Sequence, residues 1–318
     1  MTLVVRSLHH PDAGADPREV RVLLRPVVVG LDGSRESLTA ADWAAREALR
    51  RGLPLRLVYA AEVPAGGESE LPELSVPRHW ARRILRDALA EINERYPKLY
   101  LSAEQIPRPA AESLLAAGDA GEMLVLGSRA FSGFGGFLAG SVALQTVTRA
   151  ERPVVLVRAD HTVEDEHVLD AGGRRSADTP YRAVVVGVDA VRPAEQVLAF
   201  AFENAALRGA SLRAVYAWRL PLMRATAEAG AHREAEDAAR QALSSALAPW
   251  REKFPAVEIV EQAEEGHPAQ RLLCAAQDAG LLAVGRRIRP ARLGPHTGPV
   301  AHAVMHHVRC PVAIVPHE

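Results

Sequence analysis

Four apolar segments of this chain occur twice at a near-constant spacing. Pro26-Val-Val-Val-Gly30-Leu-Asp32 returns as Ala183-Val-Val-Val-Gly187-Val-Asp189, and Leu55-Arg-Leu-Val-Tyr59-Ala60 returns as Leu212-Arg-Ala-Val-Tyr216-Ala217. Leu124-Val-Leu-Gly127 returns as Leu282-Ala-Val-Gly285, and Arg152-Pro-Val-Val-Leu-Val as Cys310-Pro-Val-Ala-Ile-Val. The offset is 157 for the first two pairs and 158 for the last two. Such regularity over separate segments means one folding unit used twice. A length of 318 residues accommodates two domains of ordinary size, each able to bury a core.

Within one copy, strand and helix patterns alternate. Residues 26–32 form a continuous β-branched run of the kind that fills a parallel strand covered on both faces. Ser37 to Arg51 repeats apolar residues at helical spacing and stops at Gly52-Leu53-Pro54. A strand is expected at 55–60. A Gly-, Pro- and Glu-rich loop runs from Val63 to Pro77, and a long helix carries Trp80, Ile84, Ala88 and Ile92 on one stripe. Further strands follow at 99–106, 123–126 and 153–157, with helices at 110–120, behind Pro109, and at 141–150. The pattern predicts an α/β fold: an open five-stranded parallel sheet flanked by four helices, built twice. The expected boundaries are an N-terminal arm at 1–24, domains at 25–158 and 181–318, and a polar linker at 159–180. The arm reads as unstructured, and the run Glu164-Asp165-Glu166 as solvated.

The stretch Gly127–Val142, GSRAFSGFGGFLAGSV, lies between a strand and a helix. Glycines let backbone N–H groups approach an anion, and the free N–H groups and dipole of a helix start add attraction for negative charge. Ser141 is expected to cap that helix. Phe131, Phe134 and Phe137 either pack the loop onto the sheet or cover a ligand. No Lys-Ser/Thr follows the glycines, so the P-loop pattern is absent.

The spacing Gly127, Ala130, Gly140-Ser141 resembles the G-x-x-G-x9-G-[ST] signature of the ATP-binding universal stress proteins, and with the duplicated strands the resemblance covers nearly the whole chain. It implies two tandem Rossmann-like domains related to the adenine-nucleotide hydrolases. It also implies a site for ATP, or ADP or AMP, with Mg²⁺ as an optional companion. By that resemblance Asp32, preceded by Gly30 and Leu31, sits near the ribose and adenine. Ala60 lends its backbone to the base, and Gly127, Ser128, Arg129, Ala130, Gly140, Ser141 and Val142 surround the phosphates. Ala130 stands at the pattern's second glycine, and a methyl there costs roughly 1 kcal/mol if the position needs positive φ. Family members also dimerise through the fifth strand. Strands 153–157 and 311–315 could therefore pair within one chain as a pseudo-dimer, with a homodimer as the alternative.

The second copy departs from this pattern. Ile288 matches Ala130, Pro299 matches Ser141, and Ala190-Val191 replace Gly33-Ser34. Proline removes an N–H that a phosphate would use, although Arg286, Arg287 and Arg289 could still attract an anion. Nucleotide is expected in the first copy, with the second as a structural partner.

A formal net charge of −1 gives no global field for nucleic acid or an anionic membrane. Cys274 and Cys310 make neither a disulfide framework nor a metal spacing. No apolar run reaches the roughly 18 residues of a membrane span, and the expectation is a cytoplasmic protein. His302 and His306 lie one helical turn apart near His296 and His307, more in keeping with a helix face than a metal site. No Ser-His-Asp or Cys-His arrangement is evident. The expected role is a stress-response sensor or regulator that binds ATP without rapid turnover. The alternatives are a nucleotide-free member acting through protein contacts and an adenylyl-transferring enzyme of the wider group.

Overall fold

The computed structural model describes residues 2–5, 24–60, 72–130, 137–138, 140–220, 230–288 and 297–318. The chain divides into two units, one built from segments up to Asp160 and the other spanning His161–Glu318.

In the first unit the order is β1 (Thr2–Val5), β2 (Val27–Leu31), α1 (Arg35–Arg51), β3 (Leu55–Ala60), α2 (Pro72–Arg95), β4 (Leu101–Ile106), α3 (Ala110–Asp119), β5 (Met123–Ala130), α4 (Ser141–Arg149) and β6 (Val154–Arg158). The strands lie in the order β1-β4-β3-β2-β5-β6. All neighbours are parallel except β1, which pairs antiparallel with β4 from Thr2↔Glu104 to Val5↔Leu101. The N-terminal arm therefore departs from expectation at Thr2–Val5, which cover an edge that would otherwise expose unpaired backbone. Every residue of β2 is buried, as a strand covered on both faces requires.

The second unit repeats the plan with β7 (Val184–Gly187), α5 (Glu195–Arg208), β8 (Leu212–Trp218), α6 (Ala231–Lys253), β9 (Ile259–Glu265), α7 (Pro268–Ala275), β10 (Leu281–Arg287), α8 (Pro299–His307) and β11 (Val312–His317). Its strand order is β9-β8-β7-β10-β11, all parallel. Local signals explain why the first long helix of each repeat stops alike, although only α1 starts on a side-chain cap. Ser34 caps α1, accepting the Ser37 N–H at 3.2 Å. Helices α1 and α5 end on Gly52 and Gly209, both left-handed at φ +63° and +58°. Each glycine lets the next N–H turn back on the helix, Leu53 to Ala48 O at 2.9 Å and Ala210 to Ala205 O at 3.0 Å.

Two local expectations fail. Trp80 is 54% exposed, because α2 turns Ala81, Leu85, Ala88, Leu89 and Ile92 inward and leaves the tryptophan off that stripe. The acidic run is not solvated throughout. Val163–Glu166 form a 3-10 turn whose Thr162 and Asp165 close a capping box, and Glu166 is 1% exposed beside His161. The stretch from His161 is bound to the second unit: Arg182 N–H donates to Glu166 O at 2.8 Å, and the His167 and Tyr181 rings lie 4.1 Å apart. No helix among the described residues is long and apolar enough to cross a membrane.

Candidate functional site

In each unit a central strand, β2 or β7, is left toward one side before the chain returns to the other. The resulting crevice opens at the C-terminal ends of the strands. In the first unit β2 and β5 pair only from Val27↔Met123 to Val29↔Val125 and part beyond that point. Gly30, Leu31 and Asp32 lie on one side of this opening, with Ala60 at the end of the neighbouring β3. Gly127, Ser128, Arg129 and Ala130 lie on the other.

Those four residues continue β5 and do not begin a loop, which corrects the expected end of the strand at Leu126. Gly127 pairs with Val157 and Ser128 with Arg158. Ser128 is buried, and its hydroxyl donates to Val157 O at 3.4 Å. The Arg129 and Ala130 side chains lie outside the described residues, as do Phe131, Phe134, the Phe137 side chain, Arg289 and His296.

Asp32 is exposed and takes part in the cap of α1. Its Oδ1 accepts the Ser34 N–H at 2.9 Å and the Ser34 hydroxyl, and that hydroxyl accepts from Ser37. The turn that leads into α1 is thus built on Asp32 and Ser34.

Helix α4 runs from the open edge of the sheet back to the start of β6, since four residues after it ends the chain re-enters the sheet as a parallel strand. Its N-cap is Gly140 and not Ser141; Ser141 is the first helical residue and is exposed. Glycine contributes no capping side chain, so the first N–H groups of α4, from Ser141 and Val142, face the open edge without one. A Cβ on Gly140 would meet nothing within 4 Å.

The second unit carries a cavity of about 440 Å³ at the matching edge. The ends of β7 (Gly187, Val188, Asp189) and β8 (Val215, Tyr216, Ala217) form one side. Leu272, Val284, Gly285 and Val300 contribute from α7, β10 and α8. The second copy, expected as a structural partner, thus has an open space at this edge. The available signal was Val284, which stands where the first copy has Leu126. A Cβ on Gly30 would lie 2.7 Å from Leu126 Cδ2 and 2.9 Å from Leu114 Cδ2, whereas one on Gly187 would lie 3.0 Å from Leu272 and 3.6 Å from Val284. The smaller side chain draws the wall back. Helix α8 begins on Gly298 at φ +73°, with Pro299 in its first turn. His302 and His306 rings stand 4.5 Å apart, and among the described residues no cluster could hold a metal ion.

The universal stress protein family model matches residues 24–158 and again 180–316, one match per unit. The chain belongs to the universal stress protein family. Two relatives from Mycobacterium tuberculosis extend the likeness over both units. Universal stress protein Rv2005c is 30% identical over 304 residues, covering 91% of this chain and 96% of its own length. Universal stress protein Rv1996 is 30% identical over 319 residues, covering 91% and 94%. Among solved structures, a universal stress protein from Archaeoglobus fulgidus superposes with a TM-score of 0.65 at 13% identity, covering 92% of this chain and 98% of that one. A family member from Pseudomonas aeruginosa gives 0.59 at 17%, covering 94% and 95%. At these identities the structures share the fold. The tandem arrangement of two family domains is thus common to this chain and its mycobacterial relatives.

Proposed function

We propose that this universal stress protein binds an adenine nucleotide in its first unit and acts as a stress-response regulator that does not turn the nucleotide over rapidly. The observation carrying the reading is the start of α4. An uncapped helix N-terminus, introduced by a glycine with open space around it, lies at the edge where β2 and β5 separate. Backbone N–H groups at such a point, with the helix dipole behind them, suit a phosphate chain. Asp32 at the end of β2 would meet the sugar, and Ala60 at the end of β3 the base. Ser128 does not fit a phosphate-binding role, because its hydroxyl is turned to β6. The phosphates would rest on backbone groups of Gly140, Ser141 and Val142. ATP, with or without Mg²⁺, is the nucleotide this reading favours.

The test is nucleotide content after denaturing the purified protein, followed by titration with Mg-ATP. Ser141→Pro is the informative variant. Proline is favoured in the first helical turn, so α4 should persist, but one N–H is lost. About one nucleotide per chain in the parent, lost in Ser141→Pro and weakened in Asp32→Asn, supports the proposal. No nucleotide and no response to millimolar Mg-ATP would leave a regulator acting through protein contacts.

A further inference from the structure

We infer that the second unit joins a second copy of this chain through β9, the two strands running antiparallel about a two-fold axis at Gln262. In the first unit the corresponding strand, β4, is closed by β1, and its Leu101 and Ala103 are each 1% exposed. No residue of β9 is buried, and Val260 is 40% exposed. Among the described residues β8 is its one sheet neighbour. A groove of about 330 Å³ runs beside it, lined by Arg240 and Leu243 of α6 and by residues 261–264.

The backbone limits how two such strands can pair. Leu212 N–H donates to Glu258 O at 2.8 Å and Gly266 N–H to Trp218 O at 2.9 Å, so the even-numbered residues of β9 turn their backbone groups to β8. The N–H and C=O of Ile259, Glu261, Ala263 and Glu265 point outward, and an incoming antiparallel strand must bond to these. Outward-facing residues pair only with one another, so the two-fold axis passes through a residue. Axes at Glu261, Glu264 or Glu265 set a glutamate against itself, one at Ala263 sets Glu261 against Glu265, and those at Ile259 or Val260 leave most of the strand unpaired. The axis at Gln262 pairs all 7 residues of β9. It sets Ile259 against Glu265, Val260 against Glu264, Glu261 against Ala263 and Gln262 against itself, with no like charges directly opposite. Arg251 already engages Glu261, and Arg271 stands 3.4 Å from Glu264. Charges on an edge strand ordinarily guard it against pairing; these glutamates select one register.

Gln262 itself lacks what its counterpart would supply. Its Oε1 is buried without a hydrogen-bond partner among the described residues. Rotation of the side-chain amide lets the amide N–H of the same residue in the second copy reach that oxygen. The self-pair is of the non-hydrogen-bonded kind, in which Cα atoms approach to about 4.5 Å and side chains lie closest. The first unit has Glu104 at the matching place, held by Arg56 and paired with Thr2 of β1. This surface does not depend on nucleotide binding in the first unit.

The test follows the mass of the full-length protein by sedimentation velocity over a dilution series. Ala263→Pro removes an outward N–H and leaves the bonds to β8 in place, as an edge strand tolerates. Gln262→Glu sets two carboxylates against each other, and Glu104 shows that the fold accepts a glutamate there. The expected result is a concentration-dependent dimer whose dissociation constant rises roughly tenfold or more in both variants. Gln262→Cys, in a Cys274→Ser background, reads the register, because Cα atoms about 4.5 Å apart lie within disulfide range. Mild oxidation should give a covalent dimer of Gln262→Cys. Val260→Cys alone should give none, whereas Val260→Cys mixed with Glu264→Cys should. If Ala263→Pro does not fold, Gln262→Glu and the cross-links decide. The inference is overturned by a monomer at every concentration, by a dimer that Gln262→Glu leaves unchanged, or by failure of Gln262→Cys to cross-link.

Discussion

A Cβ atom on Gly127 would stand 2.6 Å from the backbone carbonyl oxygen of Glu36, in the first turn of α1. Whatever else this glycine does, it lets β5 lie against that helix start. Gly127→Ala should therefore lower stability by about 1–3 kcal/mol through overpacking, with or without nucleotide. At the matching Gly285 the nearest atom is Nε2 of His317 at 2.8 Å, the far end of a side chain and not backbone. Gly285→Ala should cost less, below about 1 kcal/mol. Denaturant unfolding of both variants checks this, and equal losses would contradict it.

Gly140 has φ −56°, open surroundings and no capping side chain. Gly140→Asp should stabilise α4 by a few tenths of a kcal/mol through a new cap. It should also weaken nucleotide binding, since the carboxylate would take up the N–H groups and repel phosphate. A rise in thermal midpoint together with unchanged nucleotide content would argue against phosphates at this helix start.

Glu47 is fully buried in α1, where its carboxylate accepts from Arg50 Nη1 at 2.5 Å and Arg51 Nε at 2.6 Å. Removing one partner of a buried ionic group strands the others. Glu47→Ala should cost about 3–5 kcal/mol, far more than an alanine on the exposed face of the same helix. Chemical denaturation would detect it, and a loss below 1 kcal/mol would mean that the arginines find water.

Asp278 faces Arg213, whose Nη1 and Nη2 meet its two oxygens at 2.7 and 3.3 Å. The Arg213 hydrogen bonds hold its carboxyl below the usual carboxylate range. A depressed folded-state value means stability that is present above the unfolded value, about 3.9, and is lost as pH falls through the folded one. The side chain is 68% exposed, so solvent screening keeps the effect below about 1 kcal/mol. The stability difference between the parent and Asp278→Asn should be constant near neutrality and shrink below about pH 4. A difference that grows on acidification would reverse the sign.

Much of the fold is legible in the chain because its signals are local. Val27–Leu31 and Val184–Gly187 are apolar runs that suit strands covered on both faces. The Gly52 and Gly209 helix stops are set by one residue's freedom to adopt positive φ. The site was less legible. Gly127 and Ser128 read as loop residues by composition, yet both pair with β6 and so belong to β5. Ser141 has the side chain of a cap, but the helix begins one residue earlier. Trp80 fits the periodicity of α2 and still faces solvent, because the stripe that is buried depends on how the helix is rolled against the sheet.

The sequence by itself determined that one α/β unit is built twice, where its strands and helices lie, and that the first copy keeps the glycine spacing of a nucleotide-binding member while the second does not. These follow from repetition, hydrophobic period and turn chemistry, which act within a few residues. Only the tertiary structure decided that Ser128 is turned to its neighbouring strand and that Glu166 is buried. It likewise decided that the second copy encloses a cavity beside Asp189. Each depends on groups far apart in the chain meeting in one place, such as Ser128 with Val157 or Gly187 with Val284, and no local pattern encodes the space left between them.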